Sequence, residues 1–400
     1  MAMSAVFRSS CKMAMCYRTA ERFGCVRLLA TGGFLDFKRF AMIQKSKRPY
    51  EWNKVVSDAE KIVGYPTSFM NLRCLLSDEI ANVAMHMRKL VGTKHPLLKT
   101  ARGLVYDGKY SLQARGLIIL LLCKAAGFGE IKDGQEKLQD KAGGILPSQR
   151  SLAEITEMIH TANLIHKGVV NLSDLLPQDG PLKDMEFGNK MAVLSGDFLL
   201  ASACTGLAEL RNTQVVEVVS SVISELMEAE FSGLTDKNGM ATVNDGITLE
   251  DWEHQTYLTS GSLLAKSCKS ALHLANHTSE MQQQAFDFGL NMAYAHQLHD
   301  DLKPFLQPEE SDNAINLLSA PVVCHIQSCK ENGTFSSVLD DTDVINHSKV
   351  YAEVLAGPSI SVCRERCVEY GSRATAALTG FKSSEAKAAL INIIKAVTQL

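Results

Sequence analysis

From Trp52 onward, apolar side chains return every three or four positions, over long stretches with few strong breakers. Residues 71–91 (NLRCLLSDEIANVAMHMRKLV) show the pattern plainly, since a half-buried helix needs that spacing to keep its apolar stripe on one face. No segment alternates with period two between turn signals, as a half-buried strand would. Only 10 of the 400 residues are Pro, and 46% are hydrophobic, enough for a sizeable core. The expected fold class is all-α, a single domain of ten or more helices over residues 49–400.

Within that frame, 112–126 is almost wholly apolar and reads as a central helix. Residues 127–149 are polar and glycine-punctuated, a surface loop. Ser151 and Glu154 form a Ser-x-x-Glu capping box, predicted to open a helix that runs to about Val170. A turn-rich segment covers 173–182. Further helices are expected at 187–210 and 215–230, then a second loop at 231–248, and helices at 249–277 and 279–304. Shorter helices fill the last third, with a closing one over 383–400. The longest apolar run, 117–123 (LIILLLC), falls far below the roughly 18 residues that span a bilayer, so no transmembrane segment is expected. Residues 191–208 carry Asp197 and glycines and read as a buried core helix.

Charge divides the chain. The first 48 residues hold ten Lys and Arg against Glu21 and Asp36, a net of +8 in a chain of net charge −3, leaving −11 for the remainder. A basic, acid-poor leader of this kind predicts a mitochondrial transit peptide; a disordered basic leader has the same composition. The acidic body argues against nucleic acid as a partner. Eleven Cys are scattered without a CxxC pair or a regular framework, the usage of a reducing compartment.

Four short segments carry the chemistry that can be read. The first is Glu157-Met-Ile-His160-Thr-Ala-Asn-Leu-Ile-His166, followed by Lys167, Gly168, Val169, Val170 and Asn171. The second runs from Phe187-Gly188-Asn189-Lys190 to Gly196-Asp197. The third is Ser262-Leu-Leu-Ala-Lys266-Ser-Cys268, preceded by Thr259-Ser260. The fourth is His296-Gln297-Leu-His299-Asp300-Asp301, with Pro304 three residues on. Glu157 and His160 have the Glu-x-x-His spacing of a di-iron bundle ligand, but the second such pair is missing from the sequence. Lys190 and Asp197, inside an apolar helix, are expected to partner in a buried polar network. His296 and His299 are expected to line a cleft or the core.

In this order and spacing the segments resemble the trans-prenyl diphosphate synthases, over most of 71–318. The resemblance implies an isoprenoid-synthase-type helical bundle around a central cavity. It also implies Mg²⁺-assisted ionisation of an allylic diphosphate, with Mg²⁺ as Lewis acid on the leaving group. Mg²⁺ wants carboxylate oxygens, and Asp-Asp-x-x-Asp on a helix aims two of them at one point. The family's first such motif falls where Lys167, Gly168 and Asn171 stand here. At the second, Asp300 and Asp301 remain, but the third position is Pro304, which is also expected to end the helix. Of the diphosphate-binding basics, 111–116 keeps only Arg115, a residual substrate contact or a structural ion pair. Gln178-Asp179-Gly180 replaces Arg-Arg-Gly, and Thr259-Ser260 replaces Lys-Thr.

A frame without its ligands is similar to the catalytically degenerate second subunits of heteromeric long-chain synthases. That resemblance implies a mitochondrial complex, in the matrix or peripheral to the inner membrane. Its catalytic subunit would supply the Mg²⁺ site, in a heterodimer or heterotetramer. Such complexes condense farnesyl with isopentenyl diphosphates to make the ubiquinone side chain. No catalytic residue and no metal is assigned to this chain, Asp300 and Asp301 being weak candidates for one ion. Two other readings remain open: a remodelled Mg²⁺-dependent isoprenoid enzyme using Asp300, Asp301 and Arg115, and a helical scaffold or lipid-binding protein.

Overall fold

Arg115–Ala126 forms a helix whose side chains from Leu117 to Cys123 are fully excluded from solvent. A helix apolar on every side has to be surrounded, and the architecture is built around it. The computed structural model describes residues 52–64, 93–98, 100, 115–129, 144–231, 246–307, 316–333 and 347–399. The leader, the 71–91 helix and most of the 231–248 loop lie outside them. Twelve α-helices and no extended strand occur among the described residues. They are α1 (Trp52–Val63), α2 (Arg115–Ala126), α3 (Pro147–His166), α4 (Leu182–Glu209), α5 (Thr213–Phe231) and α6 (Leu249–Thr256). After these come α7 (Ser262–Leu274), α8 (Ser279–Leu306), α9 (Ala320–Glu331), α10 (His347–Ala356), α11 (Ser359–Ala377) and α12 (Glu385–Thr398). A π-turn, Tyr257–Gly261, joins α6 to α7.

α2 is walled by α3, α7, α12 and α1, while α8 lies between α7 and α11 and touches α12. Polar side chains fix the register of these layers. Thr156 on α3 meets Ser267 on α7 at 2.8 Å, and Gln149 donates to the Ala271 carbonyl at 2.9 Å. Lys266 reaches Glu225 and Ser221 on α5 at 2.5 and 2.8 Å.

Several expected boundaries move. α3 opens at Pro147 rather than Ser151, because Pro is well suited to a first helical position and Gln149 turns back to accept from the Leu146 N–H at 3.0 Å. A reciprocal capping box does occur, at Thr248 and Asp251 ahead of α6, where an Asp plays the part sought from Glu. α8 runs two residues past Pro304, so the proline sits in its last turn and does not end it. α11 is nineteen residues long, not a short helix.

The largest departure is α4. Its buried residues, Met185, Gly188, Ala192, Gly196, Leu199, Ala203 and Leu207, repeat at three and four and pack on α3. The opposite face is apolar and uncovered: Val193, Leu194 and Phe198 are 44%, 53% and 42% exposed. This is therefore not the fully buried core helix that the composition of 191–208 suggests. By length and composition α4 is apolar enough to cross a membrane, with mean hydropathy 1.5 over its best 18-residue window, of which 28% is buried. Lys190 and Asp197 lie on exposed positions as well, and no buried pair joins them.

Candidate functional site

The segment after His160 leaves its helix early. α3 stops at His166; the Lys167 N–H still reaches the Asn163 carbonyl at 3.0 Å, and the Gly168 N–H turns to Ile165. Gly168 fits because a Cβ there would stand 3.0 Å from the Ile165 carbonyl oxygen and 3.5 Å from the Leu97 nitrogen. Asn171 caps the next short turn, its Oδ1 accepting from Ser173 N–H and Oγ at 3.3 and 2.9 Å. Positions 167, 168 and 171 therefore do not share a helical face, contrary to a helix running to Val170. Lys167 pairs instead with Glu230 at the end of α5, 3.3 Å away.

Asn189 on α4 holds this turn in place. Its side chain donates to the Val170 carbonyl at 2.7 Å and accepts from the Val170 N–H at 2.9 Å, while its Oδ1 also meets His95 Nε2 at 3.1 Å. The glycines of α4 have a related use: at Gly188 and Gly196 a Cβ would collide with the rings of His95 and His166. Asp197, at 63% exposure, reaches His166 at 3.3 Å.

The second segment divides into two unlike carboxylates. Asp301 is buried, and both its oxygens are engaged: Oδ2 accepts from Trp252 Nε1 and from the Ala320 N–H, each at 2.8 Å, and Oδ1 accepts from Gln297 at 2.8 Å. It thus holds the first residue of α9 against α8. Burial raises its pKa to about 6 despite those three donors. Asp300 is about half exposed and opens into the cavity, with His296 Nδ1 3.2 Å away. Its pKa also rises to about 6, from burial in the cavity wall, with Lys303 and Arg115 opposing. Burial and Arg115 push His296 well below its usual pKa.

Arg115 opens α2 and is buried, with Glu157 and Asp300 as the nearby charges that hold its proton. Glu157 is buried too; its Oε1 accepts from the Gly116 N–H at 2.8 Å. Burial lifts Glu157 to about 7 against the pull of that N–H and of Arg115. Beside it, His160 is driven well below its usual value by burial and by Arg115.

Arg115, His160, His296, Asp300 and Asp301 line one cavity of about 980 Å³, bounded by the ends of α3 and α5, the π-turn, α8 and the start of α9. The structure brings Arg115, Lys167, Asp300 and Asp301 together there; Gly168, Asn171 and Pro304 are not among its lining residues. Thr259 and Ser260 lie in the π-turn, and their hydroxyls donate back to Gln255 and Thr256 carbonyls at 2.8 and 3.2 Å. Asp179, in the 3₁₀ turn at Pro177–Asp179, faces Lys94 at 3.2 Å. Residues 111–114 lie outside the described residues. The roles of Trp252, Asn189 and His95 are not visible in the sequence because their partners are 49, 19 and 94 residues away.

A polyprenyl synthetase family model matches residues 97–353, which include every cavity-lining residue. The human all trans-polyprenyl-diphosphate synthase PDSS2 is 49% identical over 360 residues, covering 89% of this chain and 90% of that protein. A probable mitochondrial hexaprenyl pyrophosphate synthase of Neurospora crassa is 32% identical over 363 residues, covering 80% and 79%. Among solved structures, the apo form of an Arabidopsis medium/long-chain length prenyl pyrophosphate synthase superposes with a TM-score of 0.53 at 26% identity, covering 81% of this chain and 98% of that one. With the helical frame, the cavity and these matches in agreement, the chain belongs to the polyprenyl synthetase family.

Proposed function

We propose that the chain is the non-catalytic subunit of a mitochondrial trans-polyprenyl diphosphate synthase that makes the ubiquinone side chain. It would shape and support a catalytic homologue, in a heterodimer or heterotetramer, and residues 1–48 would be its transit peptide. The observation that carries the reading is the end of α3 at His166, which leaves the positions that should carry three aspartates without a common face. The donors present do not fit a Mg²⁺–diphosphate cluster. Asp301 has both oxygens committed to protein donors, and the cavity's other carboxylates, Asp300 and Glu230, face His296 and Lys167. What its residues do is hold the cavity open: Asp301 anchors α9, Asn189 pins the turn after α3, and Arg115 with Glu157 seals the inner end.

The partner's seat in this reading is the uncovered face of α4, where Val193, Leu194 and Phe198 lie in a row that a solitary soluble chain would not leave wet. The test is elongation from farnesyl and isopentenyl diphosphates with Mg²⁺, by the full chain alone and then mixed with a catalytic polyprenyl synthase subunit. Inactivity alone, activity on mixing, and a mixture left active by Asp300→Asn are expected. Elongation by the chain alone would overturn the proposal.

A further inference from the structure

Away from the cavity, three metal-ligating side chains converge on one point between α9 and α10. His325 and Cys329 stand four residues apart on α9 and so share a face. Glu353 comes from α10. Glu353 Oε2 lies 3.0 Å from His325 Nε2, and Cys329 Sγ lies 3.4 Å from the same nitrogen. All three donor atoms fall within 4.8 Å of one another. A Cys–His–acid relay would use both ring nitrogens, one toward each partner. Here the thiol and the carboxylate both face Nε2, which is the arrangement of ligands around a shared centre.

The spacing suits a particular ion. With Zn–N and Zn–O near 2.0 Å and Zn–S near 2.3 Å, a tetrahedral zinc site has ligand–ligand edges of roughly 3.3–3.6 Å. The two distances here are within a few tenths of that. A nitrogen, a sulfur and an oxygen also select zinc over Mg²⁺ or Ca²⁺, which prefer oxygen alone. The pocket is sheltered but reachable: the His325 and Glu353 side chains are 13% and 31% exposed, and Cys329 is buried.

We propose that His325, Cys329 and Glu353 bind one Zn²⁺, with water in the fourth position. Cys329 gives up its thiol proton on binding, and His325 coordinates through unprotonated Nε2. The ion ties α10 to the helix whose first residue Asp301 holds, so it braces the cavity wall from the side remote from the cavity. The proposal does not depend on which subunit does the chemistry.

The test titrates the purified full-length chain with Zn²⁺ against a chromophoric chelator, then with Co²⁺. One Zn²⁺ per chain and a thiolate-to-cobalt charge-transfer band are expected. Cys329→Ser should abolish the band, and His325→Gln and Glu353→Gln should each weaken Zn²⁺ roughly tenfold or more. Cys324→Ser and Cys363→Ser, at neighbouring buried thiols, should leave both signals intact. Glu353→Gln, isosteric and at a side chain only partly buried, keeps the test decisive should a buried variant unfold. Failure of the folded wild-type chain to retain Zn²⁺ at micromolar concentration would overturn the proposal. So would an unchanged band in Cys329→Ser, since other cysteines would then hold the ion.

Discussion

Asp301 shows a carboxylate wholly committed to holding the fold. In its present setting the carboxylate answers Trp252 Nε1, Gln297 and the Ala320 N–H at once, inside a buried pocket. Asp301→Ala leaves the indole and the amide without an acceptor, and each buried orphan costs about 1–3 kcal/mol. A loss of stability on the order of 3 kcal/mol is expected in urea unfolding of the full chain, whereas Asp300→Ala should shift the midpoint little. Glu157 makes a second prediction, in pH. Its folded pKa, about 7, lies above the ordinary 4.5. Between those values the folded chain keeps a proton that the unfolded chain has lost, so its contribution to stability falls as pH rises from about 4.5 to about 7. Glu157→Gln keeps an acceptor for the Gly116 N–H and does not titrate. Its melting profile should be flatter over that window, with a gain on the order of 2 kcal/mol at pH 8 over the unmodified chain. A profile as steep as before would assign the pH dependence elsewhere.

At the scale of elements, the end of α3 explains why introducing residue types need not create a site. From the sequence this helix is expected to run to about Val170. What ends it is tertiary: Gly168 sits tight against Leu97, Asn171 caps its own turn, and Asn189 grips Val170 from α4. Restoring Lys167→Asp, Gly168→Asp and Asn171→Asp together is therefore expected to yield no Mg²⁺-dependent elongation by the chain alone, and to lower Tm. Recovery of activity would show that the turn reverts to helix once the aspartates return. The same contrast marks the limits of reading from sequence. α2 and α5 were visible because their periodicity or uniform apolarity leaves one solution. Pro304 costs α8 the bond its N–H would have given the Asp300 carbonyl, and the helix continues only two residues beyond it, so the proline marks the end of the helix to within a turn and not to the residue. Lys190 and Asp197, seven apart, do share a face, but nothing in their spacing says which way it looks.

For the whole molecule, the all-α class and the family frame were legible because they rest on periodicity and on four ordered segments, whereas the outward face of α4 was not. Burial of an apolar helix depends on what lies beyond it, and composition cannot separate a core helix from one awaiting a partner. The buried stripe from Met185 to Leu207 already anchors α4 to α3, so its other face contributes little to the fold of this chain. Changing Leu194→Glu and Phe198→Glu together should thus alter stability by no more than about 0.5 kcal/mol, as for ordinary surface positions. The same pair placed in a protein interface would bury two unpaired carboxylates among apolar side chains, a cost the complex would not survive. Co-purification with the catalytic subunit and partner-dependent elongation should both be lost, while the far-ultraviolet spectrum and Tm stay as they were. Leu199→Glu, one position round on the buried stripe, should instead unfold the chain whether or not a partner is present. A Leu194/Phe198 variant that still assembles would move the partner's seat away from α4. A variant that assembles but no longer binds vesicles would make that face a membrane surface, consistent with its hydropathy of 1.5.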